Sequence, residues 1–168
     1  MTAALAALAE PLPGFAWTPP EQLHLTLRFL GETPGDRIDP LCARLAGVRV
    51  SSFLLPVEGL GVFPPRGRPH VLWCGTGSGH PRLHQLRQQL DDTILALGLD
   101  ADLKRFVPHF TLARVAPARP GAVAGFLHQH RGFVAAPFRV AGFRLYASEL
   151  RPAGTVHNML AEFPADPG

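Results

Sequence analysis

Two stretches of the chain carry the same phrase, His24-Leu25-Thr26-Leu27 and His109-Phe110-Thr111-Leu112, eighty-five residues apart. Histidine titrates near neutrality, so one imidazole can take a proton while another gives one. Two of them at one phosphorus suit acid–base cleavage of a phosphoester. The neutral ring activates water and the protonated ring protonates the departing oxygen. Two threonine hydroxyls can donate to the nonbridging oxygens, where charge builds in the transition state. This scheme calls for no metal. A single His-x-Thr phrase is more simply a pair of satisfied polar residues. Its recurrence makes His24, Thr26, His109 and Thr111 the candidate site.

Such a site needs strands to hold it. Alternation in a strand puts His24 and Thr26 on one face and Leu25, Leu27 and Phe29 on the other; His109 and Thr111 likewise oppose Phe110 and Leu112. That describes a strand with its back on a core and its front on a polar cleft. Arg28, two residues beyond Thr26, joins that front and can bind phosphate. Arg114 alternates to the face opposite His109 and needs a bulge or a strand end to join it.

The surrounding pattern repeats. "QLHLTLRFL" reads as a strand between Pro19-Pro20 and Gly31, "DRIDPLCARLAG" as a short helix, and "FLLPVEGLGVF" and "HVLWCGT" as two strands. Leu83, Leu86, Leu90, Ile94 and Leu97 lie at helical spacing in a long helix over about 81–97, which stops at Gly98. Then come strand "FVPHFTLARV", short helix "GAVAGFLHQH", strand "FRVAGFRLYAS" and strand "TVHNMLAEF". Residues 57–63, "VEGLGVF", line up with residues 140–146, "VAGFRLY". The expectation is one α+β domain over 1–168, internally duplicated, with pseudo-repeats at about 20–78 and 105–163 joined by the long helix. A pseudo-twofold relation would turn both polar fronts to one cavity.

Bulk composition is compatible with this. A chain of 168 residues with 46% hydrophobic residues can bury one substantial core. The net charge of +3 admits a polyanionic partner without requiring one. Cys42 and Cys74 supply neither a disulfide framework nor a zinc cluster, and read as two thiols of a reducing cytosol. No apolar run is long enough to span a bilayer. "MTAALAALAEPLPG" lacks the basic start and long apolar core of a signal peptide. A cytoplasmic protein is expected.

Weaker candidates have plainer readings. Arg66, Arg68 and Arg105 can form a basic rim for a polyanion or be solvated charges. His128 with His130, and His80 with His84, lack the further ligands a metal needs and read as surface pairs. His70 has no visible partner. Phe15, Trp17 and Phe63 can stack a base, although core packing is the ordinary role for each.

Taken together, "PPEQLHLTLRFLGE", "RPHVLWCG", "RFVPHFTLARV" and "LYASELRPAGTVHNMLAEFP" resemble the LigT-like phosphoesterases of bacteria and archaea, within the two-histidine (2H) superfamily. The resemblance covers nearly the whole chain. It implies a bilobed fold of two antiparallel sheets facing a central cleft, with helices outside. It also implies a reaction in which water opens a terminal 2',3'-cyclic phosphate of RNA to leave a 2'-phosphate. On that resemblance His24 is the general acid, His109 the general base, and Thr26 and Thr111 hold phosphate, with Arg114 included through "HFTLAR". The same groups would run 2'-5' RNA ligation with proton roles exchanged. Its implied partners are RNA ends bearing the cyclic phosphate, tRNA fragments among them; a monomer with no cofactor, metal or membrane is expected. The chain departs from the family pattern at two places. Its opening already reads as the first helix where relatives begin with a strand, which implies either an upstream start or a more open sheet edge. His157 stands where the family often has Tyr. Two alternatives stay open: the same chemistry on a small nucleotide (a cyclic phosphate of ADP-ribose or a 2'-5' oligonucleotide), and a non-catalytic RNA-end binding module.

Overall fold

The computed structural model describes residues 1–100, 104–116, 120–151 and 154–166. Pro152 and Ala153, part of the closing family-like segment, lie outside the described residues. The fold is α+β, with antiparallel strand pairing throughout its largest sheet. That sheet has the order β1-β5-β4-β3, from β1 (Phe15–Trp17), β3 (Leu60–Phe63), β4 (Val71–Gly75) and β5 (His109–Val115). Strands β2 (Phe53–Glu58) and β6 (Val134–Val140) pair with each other, as do β7 (Gly142–Arg151) and β8 (Gly154–Pro164).

The chain divides into two compact units. The first comprises Met1–Leu27, Leu55–His80 and Lys104–Phe138; the second comprises Arg28–Leu54, Pro81–Leu103 and Arg139–Gly168. Each unit draws on segments from both halves of the sequence.

The first unit is built on the four-stranded sheet. Phe110 and Leu112 of β5 and Leu72 and Cys74 of β4 point to one side, all fully buried. Against them pack Leu5 and Leu8 from the N-terminal helix α1 (Thr2–Ala6) and the turn after it, and Val123 and Phe126 of α4 (Pro120–Gln129). Trp17 and Phe15 of β1 stack at 5.7 Å, and Trp17 donates its indole N–H to the Glu10 carbonyl at 2.7 Å. Strand β1 was not anticipated. Three residues close to prolines are too short to show a period.

In the second unit, α2 (Ile38–Leu45) buries Leu41 and Leu45, while α3 (Pro81–Ala96) buries Leu83, Leu86, Leu90 and Ile94 on one stripe. Gly98, with φ +70°, ends the helix, and the Leu99 N–H reaches back to the Ile94 carbonyl. The expected helix therefore forms almost to the residue, because spacing and the glycine stop agree.

Two expected strands divide at glycine. "FLLPVEGLGVF" breaks into β2 and β3 at Gly59 (φ +76°), and "FRVAGFRLYAS" into β6 and β7 at Gly142 (φ +145°). These glycines are the aligned positions of the repeated Val-x-Gly phrase, and the valine before each, Val57 and Val140, is buried. The two halves thus share a strand–glycine–strand device in the same place. The strand expected across "QLHLTLRFL" does not form. A 3-10 turn covers Pro20–Gln22, and then only Leu25 is bridged, to Phe110. The prolines and the turn use up the approach, and the chain leaves the first unit after Leu27.

Candidate active site

The second His-x-Thr phrase lies on β5 and the first runs along the edge of that strand. Leu25 and Phe110 form an antiparallel bridge. In that register His24 comes opposite Thr111 and Thr26 opposite His109. Leu25 packs on the core and Phe110 is buried in it, so the four polar side chains rise from the other face. His24 is exposed, while Thr26, His109 and Thr111 are half-buried. All four belong to the first unit.

Both imidazoles are held in the same way. Nδ1 of His24 lies 2.7 Å from the Gln22 carbonyl, and Nδ1 of His109 lies 2.6 Å from the Val107 carbonyl. A carbonyl only accepts, so Nδ1 carries the hydrogen in each ring. Nε2 is then the nitrogen that gains or loses a proton. In each phrase the anchoring carbonyl sits two residues before the histidine. That matching detail was not visible in the sequence, because it belongs to the backbone.

Next to His109 stands an aromatic corner. The Phe63 ring meets the imidazole edge-on at 5.0 Å, and Trp73 lies 6.1 Å from the imidazole and 5.2 Å from Phe63. Trp73 pairs across the sheet with Thr111 on one side and Gly61 on the other. A Cβ at Gly61 would sit 2.2 Å from the indole, so the ring lies directly on that glycine. Trp73 was missed from the sequence; the available signal was a tryptophan in a strand beside a glycine-bearing one. Phe63 was a stacking candidate and is at the site, whereas Phe15 and Trp17 pack on the core.

The arginines fall differently from each other. Between Leu72 and Trp73 the β4–β5 register shifts: Trp73 opposes Thr111, but Leu72 opposes Ala113. The extra residue is Leu112, and both Leu112 and Ala113 face the core. Arg114 is thereby returned to the face of His109 and Thr111, opposite Val71 and exposed. Arg28, by contrast, is engaged within the second unit. Its Nη1 lies 2.5 Å from Asp91 Oδ1, its Nη2 contacts the Asp100 carbonyl, and its side chain is 5% exposed. Arg87 holds the other Asp91 oxygen at 2.7 Å.

Other candidates scatter. Arg66, Arg68 and Arg105 are exposed, and His70 gives its backbone N–H to the Phe63 carbonyl. His130 reaches the Glu10 carboxylate at 2.9 Å. His128, like His84, is exposed; His80 is half-buried. His157 lies on β8, its Nδ1 2.9 Å from Ser148 Oγ. The buried thiol of Cys74 is pushed up to about 12 by burial first and then by the Glu58 charge. No helix among the described residues is long and apolar enough to cross a membrane.

Comparison with known proteins agrees with this architecture. The family model described as LigT like Phosphoesterase matches residues 1–73 and 77–157. The chain belongs to the LigT-like phosphoesterase family. An RNA 2',3'-cyclic phosphodiesterase of Aeropyrum pernix is 33% identical to this LigT-like chain over 146 residues, covering 86% of the chain and 83% of that protein. One from Thermus thermophilus is 35% identical, over 92% of the chain and 77% of that protein. Among solved structures, TT0787 of Thermus thermophilus matches with a TM-score of 0.79 at 31% identity, over 97% of the chain and 90% of its own length. Escherichia coli LigT complexed with 3'-AMP shares the fold, with a TM-score of 0.75 at 23% identity over 98% of the chain and 92% of its own.

Proposed function

We propose that this LigT-like chain hydrolyses RNA ends carrying a 2',3'-cyclic phosphate, leaving a 2'-phosphate, with His24 and His109 as its proton carriers. The observation that carries the reading is the matched anchoring of the two imidazoles through Nδ1, on paired segments whose threonines lie beside them. His109 Nε2 removes a proton from water as its oxygen attacks phosphorus. His24, as imidazolium, delivers a proton from Nε2 to the 3' oxygen as the P–O3' bond breaks. Thr26 and Thr111 donate to the nonbridging oxygens, and Arg114, carried to the same face by the bulge, adds a cation for the growing charge. The acid and base assignment follows the family pattern.

Arg28 serves in this reading as a tether for the end of the first motif through Asp91, since its guanidinium is already engaged. With a 5'-hydroxyl attacking phosphorus in place of water, the same proton carriers in the same roles form a 2'-5' bond, and the roles exchange when that bond is cleaved back to the cyclic phosphate. The reaction proceeds without a metal. Its place is the cytoplasm, a reading supported by two cysteines that remain free thiols. It acts as a monomer, and the repeated halves descend from one duplicated unit.

The test is a short RNA ending in 2',3'-cyclic phosphate, incubated with the protein in the presence of a chelator. A 2'-phosphate product supports the reading. A 3'-phosphate reverses which oxygen leaves, and a requirement for added metal removes the two-histidine scheme.

A further inference from the structure

Beside the histidines, the first unit contains a cavity of about 410 Å³ lined by Glu58, Leu60, Trp73, Phe133, Val134 and a set of glycines. Gly59, Gly75, Gly77 and Gly132 keep its walls thin. It adjoins the candidate active site directly: Gly75 is the cross-strand partner of His109, and Trp73 is the indole beside the imidazole. Its lining offers aromatic and apolar surface from Trp73, Phe133, Leu60 and Val134, and its single charged side chain is the Glu58 carboxylate. That carboxylate lies over Gly77, where a Cβ would come 2.0 Å from Oε1. A concave, mostly apolar site with one placed polar group is the form a small-ligand pocket takes.

We propose that this cavity receives the base of the nucleotide bearing the cyclic phosphate, and that Glu58 makes it selective for guanine. The proposal rests on the phosphodiesterase reading for its nucleotide, and adds a specificity that the family assignment does not supply. A planar base fits a cavity walled by an indole and a phenyl ring, as in stacking on aromatic side chains generally. The Watson–Crick edge of guanine presents two neighbouring donors, N1–H and N2–H, which match the two oxygens of a carboxylate. Adenine and cytosine each set one donor beside a ring acceptor. Uracil flanks its N3–H with two carbonyls, which a carboxylate repels. Bidentate pairing to a base edge discriminates by about tenfold to a hundredfold.

The experiment measures binding of the four nucleoside 2'-monophosphates by calorimetry, for the parent protein and for Glu58→Gln, with turnover of four short RNAs, each ending in one of the four nucleoside 2',3'-cyclic phosphates, followed in parallel. The expected result is that 2'-GMP binds at least tenfold more tightly than 2'-UMP. Glu58→Gln then collapses that ratio to within about threefold, weakening 2'-GMP and binding 2'-UMP no less tightly than the parent. Equal or undetectable binding of all four by the parent overturns the proposal, as does a guanine preference that survives Glu58→Gln. Guanine-selective binding without turnover of any cyclic phosphate upholds the base site and removes the phosphodiesterase reading, so the two failures are distinct.

Discussion

At the scale of single residues, the chemistry is set by which ring nitrogen each histidine commits to the backbone. A carbonyl two residues upstream fixes the tautomer of each histidine, and a threonine from the other phrase stands beside it. Thr111→Val keeps the shape of a half-buried side chain and removes one of the donors proposed for the charged oxygens. It is expected to lower kcat by about a hundredfold with little change in KM, as loss of one such donor does. The two arginines should separate cleanly. Arg114→Met is expected to reduce kcat/KM by about tenfold without altering the melting temperature, since the side chain is exposed. Arg28→Met, which strips one partner from Asp91 in a mostly buried pair, is expected to cost about 2 kcal/mol of unfolding free energy, read by denaturant titration. Equal melting losses for both would contradict their different placements. That the two His-x-Thr phrases are candidates was legible in the sequence, because residue type and repetition mark them, and the structure sets them side by side. The face of Arg114 was not, because counting by twos assumes that no residue is skipped, and Leu112 is skipped.

At the scale of elements, glycines decide where strands end and what lies on them. Gly59 and Gly142 each break a run that reads as continuous strand in its apolar pattern, since only backbone with positive φ marks the turn. Gly61 has a different role, as the floor under Trp73. Gly61→Ala is expected to displace the indole and destabilise the protein by about 1–3 kcal/mol, the usual cost of overpacking, with altered tryptophan fluorescence as the readout. Cys74 gives β4 a pH signature. Its folded-state value of about 12 lies above the ordinary 9.0, so above pH 9 the unfolded chain releases a proton that the folded chain keeps. Stability therefore falls as pH rises from 9 toward 12, by up to about 1.4 kcal/mol per pH unit. Cys74→Ala should flatten that slope in melts taken across this range. The helix α3 was legible to within a residue. The first motif reads as a strand because its alternation is real, but after the turn at Pro20–Gln22 the ladder holds only at Leu25.

At the scale of the molecule, each compact unit draws on segments from both halves of the sequence. Strand β4 comes from the first half, yet its partner β5 comes from the second, and the core around Phe110 needs both. The sequence could suggest two similar halves because similarity is local; it could not show which strands pair, because strand pairing is set by contacts distant along the chain. A fragment of residues 1–98 is therefore expected to lack a cooperative thermal transition by circular dichroism, and a cooperative one would mean that the halves are independent after all. The central claim is that two imidazoles carry the protons of one phosphoester cleavage. Its most direct measurement is single-turnover cleavage of a short RNA 2',3'-cyclic phosphate by the parent, His24→Ala and His109→Ala, with binding of the matching 2'-phosphate RNA measured alongside. The account predicts that each substitution slows cleavage by about 10²–10⁴-fold while binding stays within a few fold. Near-parental cleavage by either variant, or loss of binding in step with loss of cleavage, would contradict it.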